Sequence, residues 1–186
     1  MFPLPPNLTI REVPWSNPVG ADLRRAQQAE LDSRFGGTGH DPSPPTEEDT
    51  AVFVIAYERS SGQPLGCGGL RRLDRSTAEI KRIYVLPYAR GSGIATAILS
   101  SLEFRARAAG FGAVTAEAGS AQSDGKRFYA QAGYTKVSNF GPYANLPHST
   151  CFAKVIEPGA RSTELSASLT SKMLYRHAQP ASSGRE

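Results

Sequence analysis

Apolar positions change their spacing several times along this chain, and each change marks an element. "LTIREV", near the start, alternates and predicts a strand. "NPVGADLRRAQQAELDSRF" predicts a helix, capped by Asn17, with Leu23, Ala26 and Leu31 facing inward. "GGTGHDPSPPTEED" has no apolar period and predicts a loop long enough to carry function. "AVFVIAYE", "QPLGCGGLRRL" and "TAEIKRIYV" then predict three strands, joined by "RSSGQP" and "DRS" into an antiparallel meander. Ile94, Ile98, Leu102 and Ala106 recur every four residues, with Ala95 and Leu99 alongside, and predict a helix closed by Gly110. "GAVTAEAG" predicts a strand and "SDGKRFYAQAG" a short helix ending at Gly133. "YTKVSNF" and "STCFAKVI" predict the last two strands. The order β-α-β-β-β-α-β-α-β-β is an α+β layout around a mostly antiparallel sheet.

Composition narrows the class. With 186 residues, 39% of them apolar and 20% charged, the chain suits one domain with a real core. The expected domain covers residues 7–157. From residue 158 a polar, small-residue tail is expected to be flexible, although Leu165, Leu169 and Met173 would share a weak helical stripe. No apolar run is long enough for a membrane span, and "MFPLPPNLTI" lacks the pattern of a secretory signal. Cys67 and Cys151 are too few for a disulfide framework and are expected as reduced core thiols. His40, His148 and His177 do not cluster with carboxylates or cysteines, so no metal site is expected. A cytoplasmic enzyme, monomer or homodimer, is the simplest expectation.

The net charge of +4 is modest, but it is concentrated. Arg71, Arg72, Arg75, Lys81, Arg82 and Arg90 face only Asp74 and Glu79 in the same stretch. No nucleic-acid-binding motif accompanies these cations, so a small phosphorylated ligand explains them with less.

"RGSGIA", placed between a strand and a helix, supplies the chemistry such a ligand needs. Unpaired N–H groups at a helix N-terminus attract an anion, and glycine lets a phosphate come close. Two familiar phosphate loops do not fit. A P-loop requires Lys and Ser/Thr at its end, which "RGSGIAT" lacks, and a dinucleotide fingerprint requires a third glycine or alanine where Thr96 stands.

The stretch from Ala78 to Tyr134 resembles the GNAT superfamily of N-acetyltransferases. Its acetyl-CoA signature, Q/R-x-x-G-x-G/A, appears as Tyr88-Ala89-Arg90-Gly91-Ser92-Gly93, departing only at Tyr88, and a second signature appears as "FYAQAGY". The resemblance implies a sheet of about seven strands flanked by about four helices. It implies that acetyl-CoA, as co-substrate, rests its pyrophosphate on the amides of Arg90, Gly91, Ser92, Gly93, Ile94 and Ala95, helped by the Arg90 side chain. It also implies that the pantetheine arm pairs with Ile83, Tyr84 and Val85, where the fourth and fifth strands splay apart, and that Gln122 hydrogen-bonds the same arm.

Acetyl transfer to an amine needs a base, an oxyanion donor and an acid for the leaving thiolate. Glu79 is the first base candidate. It matches the position of a catalytic glutamate in histone-type members, and strand alternation puts it on one face with Lys81 and Ile83. A surface carboxylate paired with Lys81 or Arg82 is the competing reading. Glu117, on the next strand, is the reserve. Tyr129 matches the position of the usual general acid, with core packing as its alternative, and a main-chain N–H near Val85 is the simplest oxyanion donor. Cys151 lies in an apolar strand and is expected to be inert.

The stiff "SNFGPYANLPHS" loop offers Tyr143 to the acceptor but no carboxylate, which disfavours a polycation. Arg24 and Arg25 would face an anionic group on the acceptor or remain solvated. The expected function is transfer of acetyl from acetyl-CoA to a primary amine of a small molecule by direct attack in a ternary complex, with no nucleic-acid or membrane partner. A peptide N-acetyltransferase and a non-catalytic acyl-CoA-binding module are the alternatives.

Overall fold

A computed structural model describes residue 5 and residues 7–37, 41–119 and 122–156. Seven strands form one sheet: β1 Leu8–Glu12, β2 Thr50–Glu58, β3 Pro64–Arg72, β4 Thr77–Val85, β5 Ala113–Gly119, β6 Thr135–Val137 and β7 Ser149–Val155. Three α-helices join them: α1 Pro18–Phe35, α2 Ile94–Ala108 and α3 Ser123–Gln131. The fold class is as expected, with three α-helices among the described residues rather than about four. Pro87–Ala89 and Gly141–Tyr143 form single 3₁₀ turns. The tail from residue 158, His40 and His177 lie outside the described residues.

Strand order is β1-β2-β3-β4-β5-β7-β6, and every pairing is antiparallel except β4 with β5. The last two strands therefore enter out of sequence order, with β7 between β5 and β6. β6 is shorter than "YTKVSNF" suggested, because the chain turns away after Val137. Asn139 holds that turn, donating from Nδ2 to the carbonyls of Leu146 and Ser149 at 3.0 and 3.1 Å.

Each face of the sheet has its own helix. α2 packs its predicted stripe on one face, with Ile94, Ile98, Leu102 and Ala106 all buried. The helix lies close to β3: a Cβ at Gly68 would stand 2.7 Å from Ile98 Cγ2, so glycine is required there. α1 covers the other face through Leu23, which packs with Phe53, Ile55, Cys67 and Tyr84. As expected, Asn17 caps α1, its Oδ1 accepting from Gly20 N at 3.1 Å, and Gly36 ends it in the left-handed region. Ala26 packs at the edge of this core, whereas Leu31 is half-buried and lines a cleft. Both cysteines are buried free thiols, and burial pushes each up to about 12. Among the described residues, no helix is long and apolar enough to cross a membrane.

β4 departs from regular alternation at one place. Gly69 pairs with Lys81 but Cys67 pairs with Tyr84, so β4 carries one extra residue, and Arg82 takes φ +60°. This bulge reverses the faces beyond it. Ile83 joins the α2 side rather than sharing a face with Glu79 and Lys81, and Tyr84 joins the α1 side.

Candidate active site

The glycine loop begins where β4 ends. Leu86 N bonds Leu65 O at 2.9 Å, a 3₁₀ turn follows, and Gly91 and Gly93 adopt φ +76° and +81°. A residue with a Cβ is strained in that region, so these glycines allow the abrupt entry into α2. Gly93 supplies no side-chain cap, and the Ser92 hydroxyl is turned back to Ala89 O at 2.6 Å. The first-turn amides of a 15-residue helix are thus left without a cap, at its positive end.

The Arg90 side chain is already engaged. Its Nε donates to Val85 O at 2.9 Å and its Nη2 to Glu30 Oε2 at 2.6 Å. The Arg90 hydrogen bond holds the Glu30 carboxyl below its usual range, and Arg34 pairs with the same carboxylate. Sequence reading assigned Arg90 to phosphates and found no role for Glu30. Nothing near either residue in the chain connects them, because they are 60 positions apart. Tyr88, where the signature departs, is 71% exposed.

Beside this loop the sheet opens. β4 and β5 pair from Thr77–Ala113 to Ile80–Ala116, while β5 continues with β7 as far as Gly119. The expected splay is therefore present from Lys81 onward. A cleft of about 370 Å³ occupies it, lined by Ile83, Tyr84, Val85, Arg90, Ala95, Gln122 and Phe128, and bounded on the far side by Gln27, Gln28 and Leu31 of α1. Two main-chain acceptors in the splayed segment are taken by side chains: Gln27 Nε2 donates to Ile83 O at 2.9 Å, and Arg90 Nε takes Val85 O. Gln122 Oε1 accepts from Gly119 N at 2.9 Å, which holds its amide at the end of β5.

Glu117 and Tyr129 both line this cleft. Glu117 is half-buried on β5. Burial pushes its carboxyl upward, against the opposing pull of a Ser149 hydrogen bond and the Lys81 charge. Tyr129 packs among Phe128, Tyr134 and Phe152, and burial raises its phenol well above the usual range. It keeps its proton at neutral pH and can donate it. The core-packing reading of Tyr129 therefore holds together with its exposure to the cleft.

Glu79 and Tyr143 lie elsewhere. Neither is among the residues that line the cleft. Glu79 is fully buried, with Oε2 accepting from Arg71 Nε at 3.1 Å and from Arg71 Nη2, and Oε1 accepting from the Tyr143 hydroxyl at 2.9 Å. Lys81 Nζ donates to the Tyr143 oxygen at 2.8 Å and to Asp41 Oδ1 at 3.1 Å. Glu79 stands 4.0 Å from Lys81, one of the two expected partners, but it is buried rather than at the surface, and Arg71 across the sheet holds it more closely. Tyr143, expected at the acceptor, is instead a fully buried link in this network.

The basic stretch is thereby largely neutralised. Arg71 pairs with Glu79, Lys81 with Asp41, and Arg90 with Glu30. Arg24 stacks on Trp15, 3.7 Å from its centroid, and Arg25 pairs with Asp22 in solvent. Neither faces the cleft. Among the described residues, no group of three His, Cys, Asp or Glu side chains is arranged to hold a metal.

Comparison with known proteins follows the same lines. A protein of Azospirillum brasilense named IAA acetyltransferase is 36% identical over 103 residues, spanning 55% of this chain and 66% of its own length. A Klebsiella pneumoniae protein assigned as an acyl-CoA N-acyltransferase superposes with a TM-score of 0.70 at 23% identity, over 81% of this chain and 98% of its own. A GNAT family acetyltransferase from Elizabethkingia anophelis, solved with acetyl-CoA bound, gives 0.58 at 18%, over 81% and 99%. At those identities the two structures speak for the fold alone. Residues 13–134 match the model of the acetyltransferase (GNAT) family. With the uncapped helix entry, the splayed strands and this match over most of its length, the chain belongs to the acetyltransferase (GNAT) family.

Proposed function

We propose that this protein transfers the acetyl group of acetyl-CoA to a primary amine of a small molecule by direct attack in a ternary complex. The observation that carries it is the joint position of Glu117 and Tyr129 on one cleft, beside the glycine-lined start of α2. One group accepts a proton and the other donates one, as the reaction demands.

The amides from Arg90 to Ala95 hold the co-substrate's phosphates, Ile83, Tyr84 and Val85 line its arm, and Gln122 fixes the end of β5 beside it. Glu117 removes a proton from the acceptor's ammonium, freeing the lone pair that forms the C–N bond. As the C–S bond breaks, Tyr129 gives its proton to the departing thiolate and is reprotonated by the second proton leaving nitrogen. Two protons leave nitrogen in all; one ends on sulfur and one passes through Glu117 to solvent. A main-chain N–H near Val85 faces the developing oxyanion.

Glu117 takes precedence over Glu79 as the base. Glu79 is fully buried, tied to Arg71 and Tyr143, and does not line the cleft, whereas Glu117 meets the cleft and its carboxyl is pushed upward by burial. The wall that α1 forms along one side of the cleft favours a compact acceptor over a polypeptide. The name of the Azospirillum relative supports the same choice, and the match to the acetyltransferase (GNAT) family supports acetyl-CoA as donor.

The test is calorimetry with acetyl-CoA followed by CoA release over a panel of amines, amino acids and peptide N-termini. Binding with turnover on a compact amine is the expected result. No binding, or turnover on peptides alone, overturns the proposal.

A further inference from the structure

In a regular strand, neighbouring residues point to opposite faces. Lys81 and Arg82 are neighbours in β4, and both line the cleft, which runs along the strand from Ile80 to Val85. Arg82, in the bulge, sits at φ +60°, a conformation unfavourable for a side chain with a Cβ. Its surroundings hold it there. Cys67 Sγ donates to Arg82 O at 3.5 Å, and Arg82 Nη1 donates to Gln28 Oε1 at 3.0 Å.

The two cations are only 9% and 12% exposed and share one carboxylate. Asp41 Oδ2 lies 2.9 Å from Lys81 Nζ and 3.8 Å from Arg82 Nη2. Lys81 also donates to the neutral Tyr143, and Glu79, 4.0 Å away, is committed to Arg71. Arg82 Nε is buried with no hydrogen-bond partner. Leaving a charged donor unfilled is costly, so the site lacks an acceptor atom. Glu117 lines the same cleft as Asp41, Lys81 and Arg82.

Charge decides what fits. When Glu117 engages the ammonium of the acceptor, Asp41 is the carboxylate that Lys81 and Arg82 share. A second carboxylate supplies an oxygen for Arg82 Nε. Arginine's planar fork suits this group, and the carboxylate of Asp41 already occupies the space between the two cations.

We propose that Arg82, with Lys81, binds a carboxylate of the acceptor, so that the substrate class is a compact amino acid with its amine directed to Glu117. This rests on the acetyl-transfer reading above. The experiment compares L-phenylalanine, L-methionine and L-glutamate with their α-decarboxylated amines, in the native protein and in Arg82→Gln. The native protein should favour the carboxylate member of a used pair by at least about 10-fold in kcat/KM, the size of one charge-assisted hydrogen bond. In Arg82→Gln that ratio should collapse toward one. Equal or better use of the decarboxylated amines by native protein overturns the proposal, as does a ratio that survives the substitution.

Binding of N-acetyl-L-phenylalanine against N-acetyl-2-phenylethylamine, measured by calorimetry with CoA present, reads the same preference without turnover. It needs only the native protein, and equal binding, or none, overturns the carboxylate site. Failure of acetyl-CoA itself to bind overturns the acetyl-transfer reading instead.

Discussion

The Tyr143 hydroxyl donates to Oε1 of Glu79 at 2.9 Å, and neither side chain has any exposed surface. These residues are 64 positions apart, and together they close a network that runs from Arg71 to Asp41 beneath the cleft. A carboxylate so held supports structure. Removing the hydroxyl in Tyr143→Phe leaves a buried acceptor short of one bond, at a cost of about 1–3 kcal/mol. Glu79→Gln removes the charge that holds Arg71 Nε and Nη2, while Nη1 keeps Ser43 and Asp49, and should cost about 1–3 kcal/mol. Urea unfolding measures both, and in each variant the folded fraction should keep the acid limb of the native pH–rate profile.

Glu117→Gln should lower kcat/KM by about 10²–10⁴-fold and remove that acid limb. The active form is the carboxylate, so native activity falls as pH drops through a pKa above the usual 4.5. Stability runs the other way. Because the folded state raises this pKa, its favourable contribution is complete below the unfolded value and is lost as pH rises through the folded one. Glu117→Gln should therefore melt higher than native protein at neutral pH, and the gap should close below about pH 4.

Tyr129→Phe keeps the ring among Phe128, Tyr134 and Phe152 and removes only the proton donor. Turnover should fall by about 10²–10⁴-fold. The acetyl-CoA dissociation constant, measured by calorimetry, should stay within about two-fold, since one RT ln 2 lies below any lost hydrogen bond.

Gly91→Val should weaken acetyl-CoA binding through the ligand rather than through the protein's own packing. No protein atom lies within 4 Å of a Cβ at this position, so the cost to folding is backbone strain alone, about 1–2 kcal/mol. Calorimetry with acetyl-CoA and a melting curve separate the two effects. Unchanged affinity would remove the loop from the binding site.

What the sequence determined by itself was what short-range physics controls. The four-residue apolar period of α2 predicted its buried stripe, because a helix returns to the same face on that spacing. The glycines before Ile94 predicted unpaired amides at a helix N-terminus, because the first turn of any helix leaves its N–H groups without helical partners. Alternation predicted the β2–β3–β4 meander for the same local reason. Only the tertiary structure decided which carboxylate meets the cleft. Glu79 and Glu117 look alike along the chain, and they part because Arg71 and Tyr143 come from elsewhere to enclose one and not the other. The bulge at Arg82 was equally invisible: no glycine marks it, and the pairing of Cys67 with Tyr84, made only once the sheet assembles, shifts the register. Local spacing sets which face a residue prefers, but the charge, solvent and partners it meets there are brought by segments tens of residues away.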